Sequence, residues 1–184
     1  LSKDYETDLW GIIKAQPKEA WPIITFSENS SLHLNGEEAR LIFIPEAHTD
    51  GDIIVWFKES NIIHAGDLFT NAYPYIDWSS GGSIEGFLNG YDQLLNIMNE
   101  ETLIITGHGP IATKRDVIYL QKVMHSIYDR IYTMDKKGKN LEEIISAKPS
   151  KEWDKELNSW FIDTNYLISS IHQTLTGPIY HGDH

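Results

Sequence analysis

Short apolar runs, each broken by Gly, Asn, Asp or Ser, fill the first part of the chain. Arg40–Ile44, Asp52–Phe57, Asn61–Ala65 and Thr102–Thr106 have the length and β-branched content of strands. Leu32 to Leu41 reads as a hairpin around Asn35-Gly36, a dipeptide that takes positive φ at both turn positions. Pro22 to Phe26 reads as one more strand. Residues 3–20, with Trp10, Ile12 and Ile13 among charges, read as a short helix or irregular lead-in.

Later the period lengthens to that of helices. Ile84, Phe87, Leu88, Tyr91, Leu94, Leu95 and Met98 form a stripe over Ser83–Asn99. A long helix over Lys114–Lys137 carries Val117, Ile118, Leu120, Val123, Met124, Ile127, Ile131 and Met134, and Gly138 stops it. Asn140 is the cap expected for a short helix from Leu141 to Ala147, ended by Lys148-Pro149. A polar, Trp-containing stretch follows, and then a last helix capped by Asp163 or Thr164 and running to about Leu175. Leu68–Gly82 has no period and is rich in aromatics, Gly, Ser and Pro, as in a surface loop. Residues 177–184 read as a tail. No repeat or interdomain linker is visible, so the chain is expected to be part of a single domain.

The candidate chemistry sits at three strand ends. His48 follows Arg40–Ile44, Asp67 follows Asn61–Ala65, and His108 follows Thr102–Thr106. The strands before His48 and Asp67 are separated by one further strand, Asp52–Phe57. Consecutive strands joined by short turns run antiparallel, so those two run the same way and end on one edge. If the strand before His108 is parallel to them, all three residues share that edge. Two imidazoles and a carboxylate converging there suit zinc or a similar transition metal.

With AHTDGD at His48, HAGDLF at Asp67 and TGHGP at His108, in this order, the sequence resembles the C-terminal part of a metallo-β-lactamase-fold metallohydrolase over roughly Pro22 to Leu175. The resemblance implies an α+β fold, an αββα sandwich to which this chain gives the C-terminal sheet and its helices. It implies two metal ions, zinc or else iron, with Asp67 bridging, His48 on one and His108 on the other. It implies a metal-bound hydroxide attacking an ester, lactone, thioester or β-lactam-type bond. The family's leading HxHxDH signature has no counterpart here; His33 alone precedes His48. The expectation is therefore that residues 1–184 are the C-terminal portion of such a domain, inactive without its N-terminal half.

Composition narrows the partners. The net charge is -12 and the pI about 5.0. A phosphate backbone is bound through Lys and Arg, so nucleic acid and anionic membrane surfaces are disfavoured. No apolar run is long enough to span a bilayer. Cysteine is absent, which removes disulfides and thiolate ligands and is compatible with either redox compartment.

Other residues carry weaker expectations. Asp52 is expected to fix the loop that orients His48, although simple turn chemistry explains it as well. Tyr73, Tyr75 and Trp78 either line a pocket for a small-molecule substrate or pin their loop to the body. His33, His64, His125 and His172 read as structural. A homodimer contact or a separate N-terminal half is expected to cover the sheet. Two alternatives to a hydrolase are a noncatalytic binding or assembly module and an iron-dependent oxidoreductase on the same scaffold.

Overall fold

A computed structural model describes residues 3–7, 11–159 and 161–177. Trp10, His181, His184 and the expected tail beyond Gly177 lie outside the described residues. The body is one six-stranded mixed sheet with helices packed on one face. Strands β3 (Ser30–Leu34), β4 (Glu37–Ile44), β5 (Asp52–Phe57), β6 (Ile62–Gly66), β7 (Leu103–Thr106) and β8 (Ala112–Thr113) lie in that order across it. The pairs are antiparallel except β6 with β7, which is parallel. Strands β4, β6 and β7 therefore run the same way and end on one edge.

Local chemistry accounts for most element ends. Asn35 and Gly36 have φ of 55° and 79°, and Leu34 pairs with Glu37 across the two-residue turn. Helix α1 (Ile84–Ile97) begins where the Ser83 hydroxyl accepts from the Gly86 N–H. Helix α2 (Lys114–Lys136) begins where the Asp116 carboxylate accepts from the Thr113 N–H. Asn140 and Glu143 cap each other's backbone N–H at the start of α3 (Leu141–Ala147). A short helix α4 spans Asp154–Leu157, and α5 (Thr164–Thr176) starts where Asp163 accepts from the Tyr166 N–H.

Three expectations change. Within the lead-in, β1 (Tyr5–Thr7) pairs antiparallel with β2 (Gly11–Ile13), and a 3-10 turn follows at Lys18–Ala20. Three-residue strands are too short to show a period. Pro22–Phe26 is not a strand: Ile23 and Ile24 are exposed and no neighbouring strand offers their backbone a ladder. Leu68–Gly82 is irregular but not a surface loop. Leu68, Phe69, Tyr73, Ile76 and Asp77 are buried, because the segment threads between the sheet edge and α4–α5.

The sheet's two faces differ. Ile42, Ile44, Ile54, Ile63 and Ile104 point to the helices and join Phe87, Tyr91, Leu94, Leu120, Met124 and Ile168 in one core. On the other face Leu41, Phe43, Ile53, Val55, Ile62, Leu103 and Ile105 stand in cross-strand register, half-buried or exposed. Monomers rarely leave a contiguous apolar patch of this kind uncovered. We propose that a second sheet covers it in the working protein and that, without one, the chain associates through it. Light scattering at low micromolar concentration should then show dimers or larger species. A monomer that binds no hydrophobic dye overturns this.

Arg130 ties α2 to the turn before α4. Its Nη1 donates to the Pro149 carbonyl at 2.6 Å and to Glu152 Oε2 at 2.9 Å, and its Nη2 to Glu152 Oε1 at 2.7 Å. The guanidinium also lies over the Trp153 ring, 4.9 Å from its centroid. This charge pulls the Glu152 carboxyl down to about 2 from an ordinary 4.5. A carboxylate whose folded pKa is depressed stabilises the fold above its unfolded pKa, and that contribution fades as pH falls toward the folded value. Acid unfolding of Glu152→Gln should therefore differ from the parent above about pH 4.5 and converge with it near pH 2. Because the pair is exposed, the difference should be small and should shrink with salt.

Candidate metal centre

The edge where β4, β6 and β7 end brings His48, Asp67 and His108 together. The Asp67 carboxylate lies between the imidazoles: Oδ2 is 3.5 Å from His48 Nε2 and Oδ1 is 3.4 Å from His108 Nε2. His48 is mostly buried, Asp67 is partly open, and the His108 side chain is 84% exposed.

Backbone contacts fix each of the three. The His48 loop is stitched to the segment before α1. The Asp77 N–H donates to the His48 carbonyl at 3.0 Å, the Asp50 N–H to the Ser80 carbonyl at 2.9 Å, and the Ser83 N–H to the Glu46 carbonyl at 2.8 Å. Gly82 and Gly86 make this approach possible, since a Cβ at either would meet the 46–48 backbone. The His48 ring is set separately, with Nδ1 2.9 Å from the Tyr75 carbonyl. A carbonyl only accepts, so Nδ1 is the donor in this contact and Nε2 is left on the side of Asp67. The Asp67 turn opens on Gly66 at φ 53°. His108 lies in a turn tied down by Asn71 Nδ2 and Thr106 Oγ1, which both donate to the Pro110 carbonyl.

Asp52 holds the loop rather than the ring. Its Oδ2 accepts from the His48 N–H at 2.6 Å and the Thr49 N–H at 3.1 Å, and its Oδ1 accepts from the Thr49 hydroxyl at 2.9 Å. Burial raises its carboxyl above the ordinary range, partly offset by the nearby His48 and these hydrogen bonds.

A cavity of roughly 540 Å³ opens over the three residues. Tyr73 and Tyr75 both line it, and each also pins the loop. The Tyr73 hydroxyl turns away to donate to Asp154 Oδ1 at 3.0 Å, and burial raises it above its usual pKa. The Tyr75 ring packs on His48, Phe161 and Tyr166. Trp78 does not line the cavity; it opens a 3-10 turn, Trp78–Ser80, capped by Asp77. Ser159, Phe161 and Ile162, which the sequence pattern did not mark, form the opposite wall. Two other described histidines stand apart: His64 faces the open side of the sheet, where its Nδ1 accepts from the Gly66 N–H, and His172 pairs with Asp135 at 3.8 Å.

The donor chemistry suits divalent metals, with each Asp67 oxygen facing one imidazole as a bridging carboxylate would. It is half a site. Among the described residues no group of three or more His, Cys, Asp or Glu could hold a metal ion. Each of two cations would have Asp67 and one histidine from this chain, fewer than the three protein ligands of a catalytic zinc.

No protein-family profile matches the chain. Over 76 residues, 41% of the chain, it is 29% identical to metallo-β-lactamase IND-1 of Chryseobacterium indologenes, and the match covers 32% of that protein. The fold is similar to the stereoselective inverting sec-alkylsulfatase Pisa1 from Pseudomonas sp., with a TM-score of 0.68 at 13% identity over 94% of this chain and 28% of that one. It is also similar to a metallo-β-lactamase family protein from Thermus thermophilus, with a TM-score of 0.52 at 16% identity over 62% of this chain and 39% of the other. The chain thus spans about a third or less of the first two relatives. Its α+β architecture, one mixed sheet backed by helices, is that of a metallo-β-lactamase-fold protein, of which it corresponds to a part.

Proposed function

We propose that the chain is the C-terminal part of a metal-dependent hydrolase acting on an ester, lactone, thioester or β-lactam-type bond. The observation that carries this is the Asp67 carboxylate between two imidazole Nε2 atoms where three like-directed strands end. The enzymes among its structural relatives support the same broad reading. In this reading His48, Asp67 and His108 would be this chain's ligands to zinc. A divalent metal at such a position supplies a water acidic enough to act as nucleophile near neutral pH.

The chain's own residues do the rest. The Tyr75 carbonyl holds the His48 ring through Nδ1 and leaves Nε2 on the side of Asp67. Asp52 holds the His48 loop through its backbone. The cavity walls shield one side of the reacting bond from solvent.

Elemental analysis and a substrate panel test the reading. The isolated chain should hold zinc weakly after mild chelation and release it on dialysis. The full-length protein should bind two ions and show zinc-dependent turnover on at least one β-lactam, lactone, thioester or sulfate ester. Full-length protein that binds no metal, or whose metal content is unchanged by His48→Ala and His108→Ala, overturns it.

A further inference from the structure

We propose that the cavity over the metal edge receives an uncharged, apolar substituent of the substrate, an alkyl or aryl group next to the scissile bond. This rests on the hydrolase reading and adds a substrate class to it. The argument is the distribution of chemistry around the cavity. The acidic and imidazole side chains that line it are His48, Asp67 and His108, gathered at the sheet edge. The walls are mostly apolar, Ala72, Ile162 and the rings of Tyr73, Tyr75 and Phe161, with Thr70 and Ser159 as their uncharged polar members. Tyr73 sends its hydroxyl out of the cavity toward Asp154, leaving its ring as the lining surface.

No Lys or Arg of the described residues lines the cavity, and the chain carries a net charge of -12. A carboxylate or phosphate on this part of a substrate would meet no compensating cation from these walls. An apolar group would meet a wall that is already ordered. The Tyr75 ring lies edge-on to Phe161 at 5.6 Å between centroids and touches Tyr166 at the same distance. Binding there removes apolar surface from water without first ordering the side chains that receive it.

The test uses full-length protein and a neutral probe series, the straight-chain primary alcohols from butanol to decanol. Binding is followed by NMR on the ring resonances of Tyr75 and Phe161. Affinity should rise roughly fourfold per methylene and level off once the cavity is full. Ala72→Phe, which fills the space from a half-exposed position, should move that plateau to shorter alcohols. Phe161→Ser should flatten the series, and far-UV circular dichroism confirms that both variants are folded. A flat series in the parent overturns the proposal. So does an unchanged plateau in Ala72→Phe, or shifts confined to Leu41, Phe43 and Ile105 on the open sheet face. Metal-dependent turnover with a flat series removes this inference and leaves the hydrolase. A rising series without metal-dependent turnover on any ester removes the hydrolase and leaves an apolar-ligand site.

Discussion

Asp67→Asn in the full-length protein should lose most hydrolysis and at least one of two bound metals while remaining folded. The amide keeps the side chain's shape but removes the negative charge that lies within 3.5 Å of both imidazole Nε2 atoms. Attraction between unit charges at about 4 Å is worth about 4 kcal/mol at an effective dielectric of about 20. Solvent at this partly open edge reduces that figure, but each cation would still be left with a single charged or imidazole ligand from this chain. Asp67 is not part of the buried core, so unfolding should change little. His33→Ala on exposed β3 is the matched control and should retain activity. Wild-type turnover in Asp67→Asn, on whichever substrate the parent accepts, would mean that the active site is not at this edge.

Gly107→Ala should damage the same site from the backbone side. A Cβ at Gly107 would collide with Asp67 Oδ1 and come within 2.6 Å of the Gly66 carbonyl oxygen. Gly66 pairs with Thr106 across the parallel β6–β7 ladder, so its carbonyl cannot withdraw without breaking that register. The carboxylate and the His108 turn must move instead. The expected result is at least a tenfold loss of metal affinity and turnover, with a stability cost of about 1–3 kcal/mol for forced overpacking. Gly51→Ala, with open space around its Cβ position, should change neither. Zinc titration followed by thermal melting separates the two effects. Parental zinc affinity in Gly107→Ala would show that close packing against Asp67 is not what sets the site.

The residues gathered at the edge could be read from the sequence because each directly follows a run of strand-forming residues. Local signals, namely the Asn35-Gly36 turn and the Asn140 and Asp163 caps, marked the element ends next to them. The features that escaped are non-local or belong to the backbone. Phe161 and Ile162 reach the cavity only because α5 folds back over the Tyr75 segment, and no spacing in the chain encodes that. The Tyr75 carbonyl that orients His48 is a group every residue possesses. Loop composition around Leu68–Gly82 suggested solvent, but its apolar members are core residues placed by tertiary packing. Ile23 and Ile24 misled in the opposite sense, as strand formers without a strand to join.

The mixed directions within the sheet set an order of assembly. Strands β3 to β6 form a run of antiparallel neighbours that can close through near-neighbour hairpins, which sets the ends of β4 and β6, the strands before His48 and Asp67, on one edge. His108 arrives only when β7 docks parallel to β6, after the chain has passed through the whole Leu68–Gly82 segment and α1. Long-range parallel pairing closes slowly because its loop entropy is lost before its contacts form. The β6 end that carries Asp67 is thus expected to form before the His108 turn docks beside it.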